Sequence, residues 1–172
     1  IIPQYKNEYQ YIIPAQEIKT ALSRLLFCVS VNEARLELTG VCLSFSEGTI
    51  RMAATDSFRL AEEQIAFQSI VEGKEKHPQS PIILSNGVLQ ELVRVITPEN
   101  KNVQMALEEN QVFFEIDGVE ITSRIMNGKY PDYQQIIPKD FVWQVVFEKN
   151  LIQRAMKIAG SLSSYSSGEI AM

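Results

Sequence analysis

Apolar residues recur at i, i+4, i+7 and i+8 in three segments: Ile18, Leu22, Leu25 and Leu26; Val88, Leu92, Val95 and Ile96; Leu151, Ala155, Ile158 and Ala159. That spacing puts four side chains on one helical face, so it predicts three amphipathic helices, each with a buried stripe. A short apolar run leads directly into each helix, at residues 11–13, 81–84 and 145–147, and predicts a strand there. After the first helix the pattern predicts strands near residues 35–46, 49–55 and 58–67, with Glu47-Gly48 as a tight turn between the first two. After the second helix the period is two. Val103, Met105 and Leu107 alternate, then Val112, Phe114 and Ile116, and Asp117-Gly118 marks a hairpin before Val119, Ile121 and Ser123.

Residues 8–130 therefore read as β-α-β-β-β written twice, an α+β fold. Two such halves can bury both helices against one shared pair of antiparallel sheets, which leaves the helices on one face with their polar sides outward. The polar stretch 69–80 joins the halves. The third strand-helix unit has no room for its following strands, so the expected division is a domain over 1–138 and the truncated start of another over 139–172, with Pro138-Lys139-Asp140 as linker. Ile1 in place of Met, and a terminal SSYSSGEIAM that reads as an unfinished strand, add the expectation of a piece of a longer polypeptide.

Extending the repeat through its polar side aligns Arg24 with Arg94 and Lys157. Each lies roughly 140° from the centre of its stripe at about 100° per residue, so each shows a cation to water. An ordinary solvated face is one reading, and a positive surface for a polyanion is the other. The formal net charge of −5 argues against a simple basic nucleic-acid binder, but its distribution matters more. The three helical segments carry net charges of +1, 0 and +2, against −8 elsewhere. An acidic shell with a basic helical surface can bind DNA at that surface and repel it elsewhere.

With 45% hydrophobic and 22% charged residues, neither disorder nor a fibrous repeat is indicated. No apolar run approaches the ~18–20 residues needed to span a bilayer and no leader-like segment opens the chain, so no membrane association and a cytoplasmic address are expected. Cys28 on a helix and Cys42 in a strand form neither a disulfide framework nor a metal site, and buried reduced thiols are expected. The single histidine, His77, sits in the polar loop with no nucleophile to serve. Phosphate-loop, HExxH and CxxC patterns are missing, so no catalytic residue, metal or cofactor is expected.

Two segments carry a family likeness: AATDSFRLA at 53–61 and SRIMNGKYPDYQQIIP at 123–138. They resemble the bacterial sliding-clamp family, the beta subunits of DNA polymerase III. In that family a Thr-Asp-Gly-His-Arg-Leu-Ala stretch and a Ser-Arg-Leu-(Ile/Val)-(Asp/Glu)-Gly-(Lys/Arg)-(Phe/Tyr)-Pro-Asp-Tyr stretch fall at this spacing. The likeness extends along the whole chain, as the family's middle domain followed by the start of its third. It implies a non-catalytic processivity factor of the replicative polymerase, a ring of two subunits head to tail with helices inside and sheets outside, through which duplex DNA passes. Arg24, Arg94, Lys149 and Lys157 would then face the hole and touch phosphates without reading sequence. Asn32 and Arg35, in the loop after the first helix, fit a further DNA contact implied by the family, although Leu36 and Glu37 stand where some members carry tyrosines.

The resemblance also implies a pocket for short hydrophobic motifs of the polymerase catalytic subunit, the clamp loader and repair proteins. Its wall in this chain would be Leu38, Thr55, Ser57, Phe58, Arg59, Leu60, Pro131, Gln135 and Ile136. Ser57 replaces the family's usual Gly, where a positive φ would cost more; Phe58 replaces a common His and Gln135 a frequent Arg. The expected partner motif is accordingly more apolar and less acidic than is common. Without the resemblance, Phe58 and Leu60 read as alternating core residues and Asp56-Ser57 as a turn. The rival function is a peptide-binding structural domain that keeps the pocket but never encircles DNA.

Overall fold

Strand β1 (Tyr9–Pro14) runs straight into helix α1 (Ala15–Leu25). Pro14 sits at the junction with φ −58°, already suited to a helix start, and the first helical N–H, on Ala15, donates to the Lys101 carbonyl at 2.9 Å. Strands β2 (Gly40–Ser46), β3 (Thr49–Thr55), β4 (Leu60–Ala66) and the short β5 (Gln68–Ser69) complete the first half. The second half repeats the order with β6 (Ile82–Ser85), α2 (Asn86–Val95), β7 (Asn102–Glu108), β8 (Gln111–Ile116) and β9 (Val119–Arg124). The β8–β9 turn places Asp117 at φ 46° and Gly118 at φ 86°, the pair of positive angles that matches a two-residue turn to strand twist.

The computed structural model describes residues 9–69, 78 and 80–163, so His77, most of the joining loop and all of the SSYSSGEIAM terminus after Ser163 lie outside the described residues. The chain divides into two units, Ile1–Pro131 and Asp132–Met172.

In the first unit each half lends its opening strand to the other half's sheet. One sheet has the order β5-β1-β7-β8-β9 and the other β4-β3-β2-β6, all pairs antiparallel. Tyr11 pairs with Met105 and Ile13 with Val103; Val41 pairs with Leu84. Both helices lie against the inner faces of these sheets and share one core. Ile18, Leu22 and Leu25 of α1 and Leu89 and Leu92 of α2 meet Val41, Leu43, Ile50 and Met52 from one sheet and Ile13, Val103, Met105 and Phe114 from the other. Each such Leu or Ile contributes roughly 1.5–3 kcal/mol by leaving water. The first half of α1 is also tied to the segment after α2: Lys19 Nζ donates to the carbonyl of Ile96, the residue that caps α2, and Gln16 Nε2 to the Thr97 carbonyl at 2.7 Å.

A smaller buried cluster lies on the opposite face of β2, β3 and β6. Cys42 sits between Ala53 and Ile83 in the ladder, and Leu38, Thr55 and Tyr130 are buried as well. Residues 125–131 cross this face, and the Met126 N–H donates to the Ile83 carbonyl at 2.9 Å. Gly40 is required beneath it: a Cβ there would collide with the Leu84 carbonyl oxygen and stand 2.9 Å from both the Ile83 and Met126 side chains. Cys28 and Cys42 are both buried free thiols, and burial pushes Cys42 up to about 11.

Three expected strands differ. Residues 33–39 form a 3-10 segment (Glu33–Thr39) instead of the start of β2, because Asn32 accepts the Ala34 N–H at 2.9 Å and Thr39 donates its hydroxyl to the Leu36 carbonyl at 2.8 Å. β4 begins at Leu60 rather than 58, for the turn described below. In the second unit, residues 145–147 form no strand, and Val146 is 89% exposed. β1 and β6 each take a ladder partner from the opposite half, and the second unit offers no strand among the described residues. Its helix α3 (Lys149–Ser163) forms as the spacing predicts, yet Leu151 and Ile158 are exposed rather than buried, since no sheet of that unit is present among the described residues to cover them.

Candidate functional site

The turn between β3 and β4 is built by residues that satisfy one another. Asp56 Oδ1 accepts the N–H groups of Phe58 (3.0 Å) and Arg59 (2.7 Å), and Oδ2 accepts Arg59 Nε and Nη2 at 2.9 and 2.7 Å. Thr55 Oγ1 donates to the Arg59 carbonyl (2.7 Å) and accepts the Ser57 N–H (3.1 Å). These bonds close the turn before pairing with β3 begins at Leu60. The backbone donor of Arg59, its guanidinium and the Phe58 N–H hold the Asp56 carboxyl down to about 2.

Ser57 occupies φ +78°, the left-handed conformation for which glycine is best suited, so the chain keeps this geometry despite the side chain. The consequence falls on Phe58, which is 95% exposed and is not the core residue that strand alternation suggests. Arg59 is fixed on its other side over the Phe27 ring, 5.6 Å from ring centroid to guanidinium carbon.

Below the turn, Tyr130 Oη accepts the Thr55 N–H at 3.0 Å. Burial pushes that phenol up to about 12, so it remains neutral at physiological pH. Tyr130 of the second motif thus anchors the turn formed by the first.

Leu38, Ser57, Phe58 and Arg59 line a groove of about 340 Å³ together with Val29, Val31 and Asp56. Asn32 and Arg35, expected at a DNA contact, line the same groove, with Asn32 capping Ala34 and Arg35 Nε donating to Glu37 at 3.0 Å. Leu38 is only 2% exposed and forms floor rather than rim. Thr55 lies buried behind the turn, Leu60 is half-buried in β4 and Pro131 ends the first unit. Gln135 and Ile136 belong to the second unit, in the 3-10 turn Tyr133–Ile136, where Gln135 Nε2 donates to Asp132 at 2.7 Å and Ile136 is exposed. Sequence reasoning missed Phe27, Val31 and Tyr130 as parts of this site. An Asx signal at Asp56 marked the turn, but the ties to Phe27 and Tyr130 join residues far apart in the chain.

Arg24 and Arg94 lie on the solvent sides of α1 and α2, which pack against each other, with side chains 65% and 75% exposed. Both are held by carboxylates: Arg24 reaches Glu63 of β4 at 3.3 Å, and Arg94 Nε donates to Glu91 at 2.8 Å. Exposed pairs of this kind are worth about 0–1 kcal/mol, so an incoming phosphate can replace the carboxylate at little cost. Lys149 and Lys157 are exposed on α3 and carry no ion pair among the described residues. Among those residues no three His, Cys, Asp or Glu side chains gather as a metal site, and no helix is long and apolar enough to cross a membrane.

The family model for the DNA polymerase III beta subunit, central domain, matches residues 12–132. Beta sliding clamps are similar over most of the chain. That of Staphylococcus aureus is 25% identical over 163 residues, covering 95% of this chain and 42% of its own. That of Halalkalibacterium halodurans is 29% identical over 140 residues, 81% of this chain and 36% of its own. The crystal structure of the Bacillus subtilis DNA polymerase sliding clamp superimposes with a TM-score of 0.84 at 27% identity, covering 94% of this chain and 41% of that one. This chain thus spans about two-fifths of the length of these relatives. With the match spanning both halves of the first unit, the chain belongs to the family of DNA polymerase III beta subunits, and residues 12–132 are its central domain.

Proposed function

We propose that this chain is part of a DNA sliding clamp, a non-catalytic processivity factor that encircles duplex DNA in the cytoplasm and tethers the replicative polymerase, the clamp loader and repair proteins. The observation that carries the proposal is the pair of packed helices α1 and α2 outside one shared core, each showing water an arginine at the same repeat position. Residues 1–138 serve as the middle domain and 139–172 open the third, in a protein that closes as a head-to-tail homodimer. In that ring Arg24, Arg94, Lys149 and Lys157 face the DNA, with Asn32 and Arg35 as outlying contacts. Their grip on phosphates is independent of sequence and falls with salt, as sliding requires.

The groove lined by Leu38, Ser57, Phe58 and Arg59, with Thr55 behind the turn, takes the partner motif, and the family likeness adds Leu60, Pro131, Gln135 and Ile136 to the wall. A buried Leu or Phe anchor supplies roughly 1.5–3 kcal/mol. The exposed Phe58 ring, and an Arg59 already neutralised by Asp56, favour a motif more apolar and less acidic than is common. Charge reversal tests the DNA half of the proposal. Arg24→Glu, Arg94→Glu and Lys157→Glu combined in the full protein should impair loading or processive synthesis at moderate salt. Wild-type processivity in that variant would leave the chain a peptide-binding domain without a DNA grip.

A further inference from the structure

The chain contains two Asn-Gly pairs, Asn86-Gly87 and Asn127-Gly128, in opposite settings. Asn-Gly is the dipeptide in which the following backbone nitrogen reaches the side-chain amide most easily, because glycine has no Cβ to obstruct the approach. We propose that Asn127 is a site of spontaneous deamidation in the folded protein and that Asn86 is protected.

Asn127 and Gly128 are both exposed, in irregular backbone three residues beyond the end of β9. Neither Asn127 nor the Gly128 N–H engages in a hydrogen bond among the described residues. Gly128 lies at φ +143°, where an L side chain is strained, so the fold retains the reactive pair. Asn86, by contrast, is half-buried in the first turn of α2, directly after the Ser85 cap, and helical backbone holds the next nitrogen away from its side chain.

In the reaction the Gly128 nitrogen, losing its proton, attacks Cγ of Asn127. The new N–Cγ bond closes a succinimide, and the Cγ–Nδ2 bond breaks to release ammonia. Water then opens the ring at either carbonyl, leaving an aspartate or an isoaspartate at this position, with no change of oxidation state. The aspartate product carries the acid that the resembled motif has here. The isoaspartate product instead inserts a methylene into the main chain between two anchors, the Met126 N–H on Ile83 and the Tyr130 hydroxyl under Thr55. That lengthening loosens the support of the Asp56–Arg59 turn.

The test is incubation of the folded chain in mildly alkaline buffer, followed by peptide mapping, with an isoaspartyl methyltransferase to separate the two products. Asn127 should convert about tenfold or more faster than Asn86, because conversion within α2 waits on local opening. In the denatured chain the two sites should convert at similar rates. Equal rates in the folded chain, or an intact Asn127 there while the denatured chain converts, would overturn the proposal. In the isoaspartate fraction, the Thr55 amide should exchange its hydrogen faster than in the unconverted protein. Unchanged Thr55 exchange would overturn the link to the turn. Asn127→Ser should abolish conversion at this position while leaving the Thr55 amide protected.

Discussion

Ser57 puts two backbone effects in competition. A non-glycine residue in the left-handed region costs roughly 1–2 kcal/mol, whereas glycine loses roughly 0.5–1 kcal/mol more to chain entropy on folding. The bond from the Ser57 N–H to Thr55 survives in glycine, and among the described residues no hydrogen bond of the Ser57 hydroxyl is lost. Ser57→Gly should therefore stabilise the protein by about 0.5–1 kcal/mol in denaturant unfolding; destabilisation would show that the side chain supports the turn. Asp56 gives the turn a pH dependence. Its folded value of about 2 lies below the ordinary 3.8, so its stabilising contribution is present above the ordinary value and is lost as pH falls toward 2. Asp56→Asn keeps the acceptor for the Phe58 and Arg59 N–H groups but drops the charge facing the guanidinium. The stability gap between wild type and this variant should close as pH is lowered toward 2, and a gap unchanged at that pH would assign the shift to another group.

At the scale of elements, the crowding around Gly40 makes a sharp prediction. Gly40→Ala should destabilise by roughly 1–3 kcal/mol, because the colliding Leu84 oxygen belongs to a ladder strand and cannot move as a side-chain tip can. An unaffected midpoint would mean that β2 and β6 can separate without loss. Strands β7, β8 and β9 were legible in the sequence because alternation and an Asp-Gly turn are local signals. The exchange of β1 and β6 between sheets was not, since a ladder partner leaves no mark on the strand that needs it. Phe58 misled for a related reason: alternation continues through it, but the side chain of Asp56 occupies the backbone donors that would have begun the strand earlier. In α3 the periodicity identified a helix correctly and its burial incorrectly, because a stripe shows which face is apolar and says nothing of what covers it.

For the whole molecule, charge placement outweighs total charge. A net charge of −5 repels DNA on average, while Arg24 and Arg94 stand exposed on adjoining helices, each paired with one carboxylate, half-buried Glu63 and exposed Glu91. Cations of that kind supply no tight static grip, so in the proposed clamp persistence on DNA would come from encirclement, with electrostatics easing motion along the backbone. The motifs at 53–61 and 123–138 made the family visible in the sequence, and the structure adds the Tyr130–Thr55 bond that joins them. The most direct measurement of the central claim is retention of the full protein, after loading, on nicked circular DNA before and after a single linearising cut. Encirclement predicts stable retention on the circle at salt that abolishes simple binding, and rapid loss through the free ends once the circle is cut. Equal retention on circular and linear DNA, or loss governed by salt alone, would contradict it.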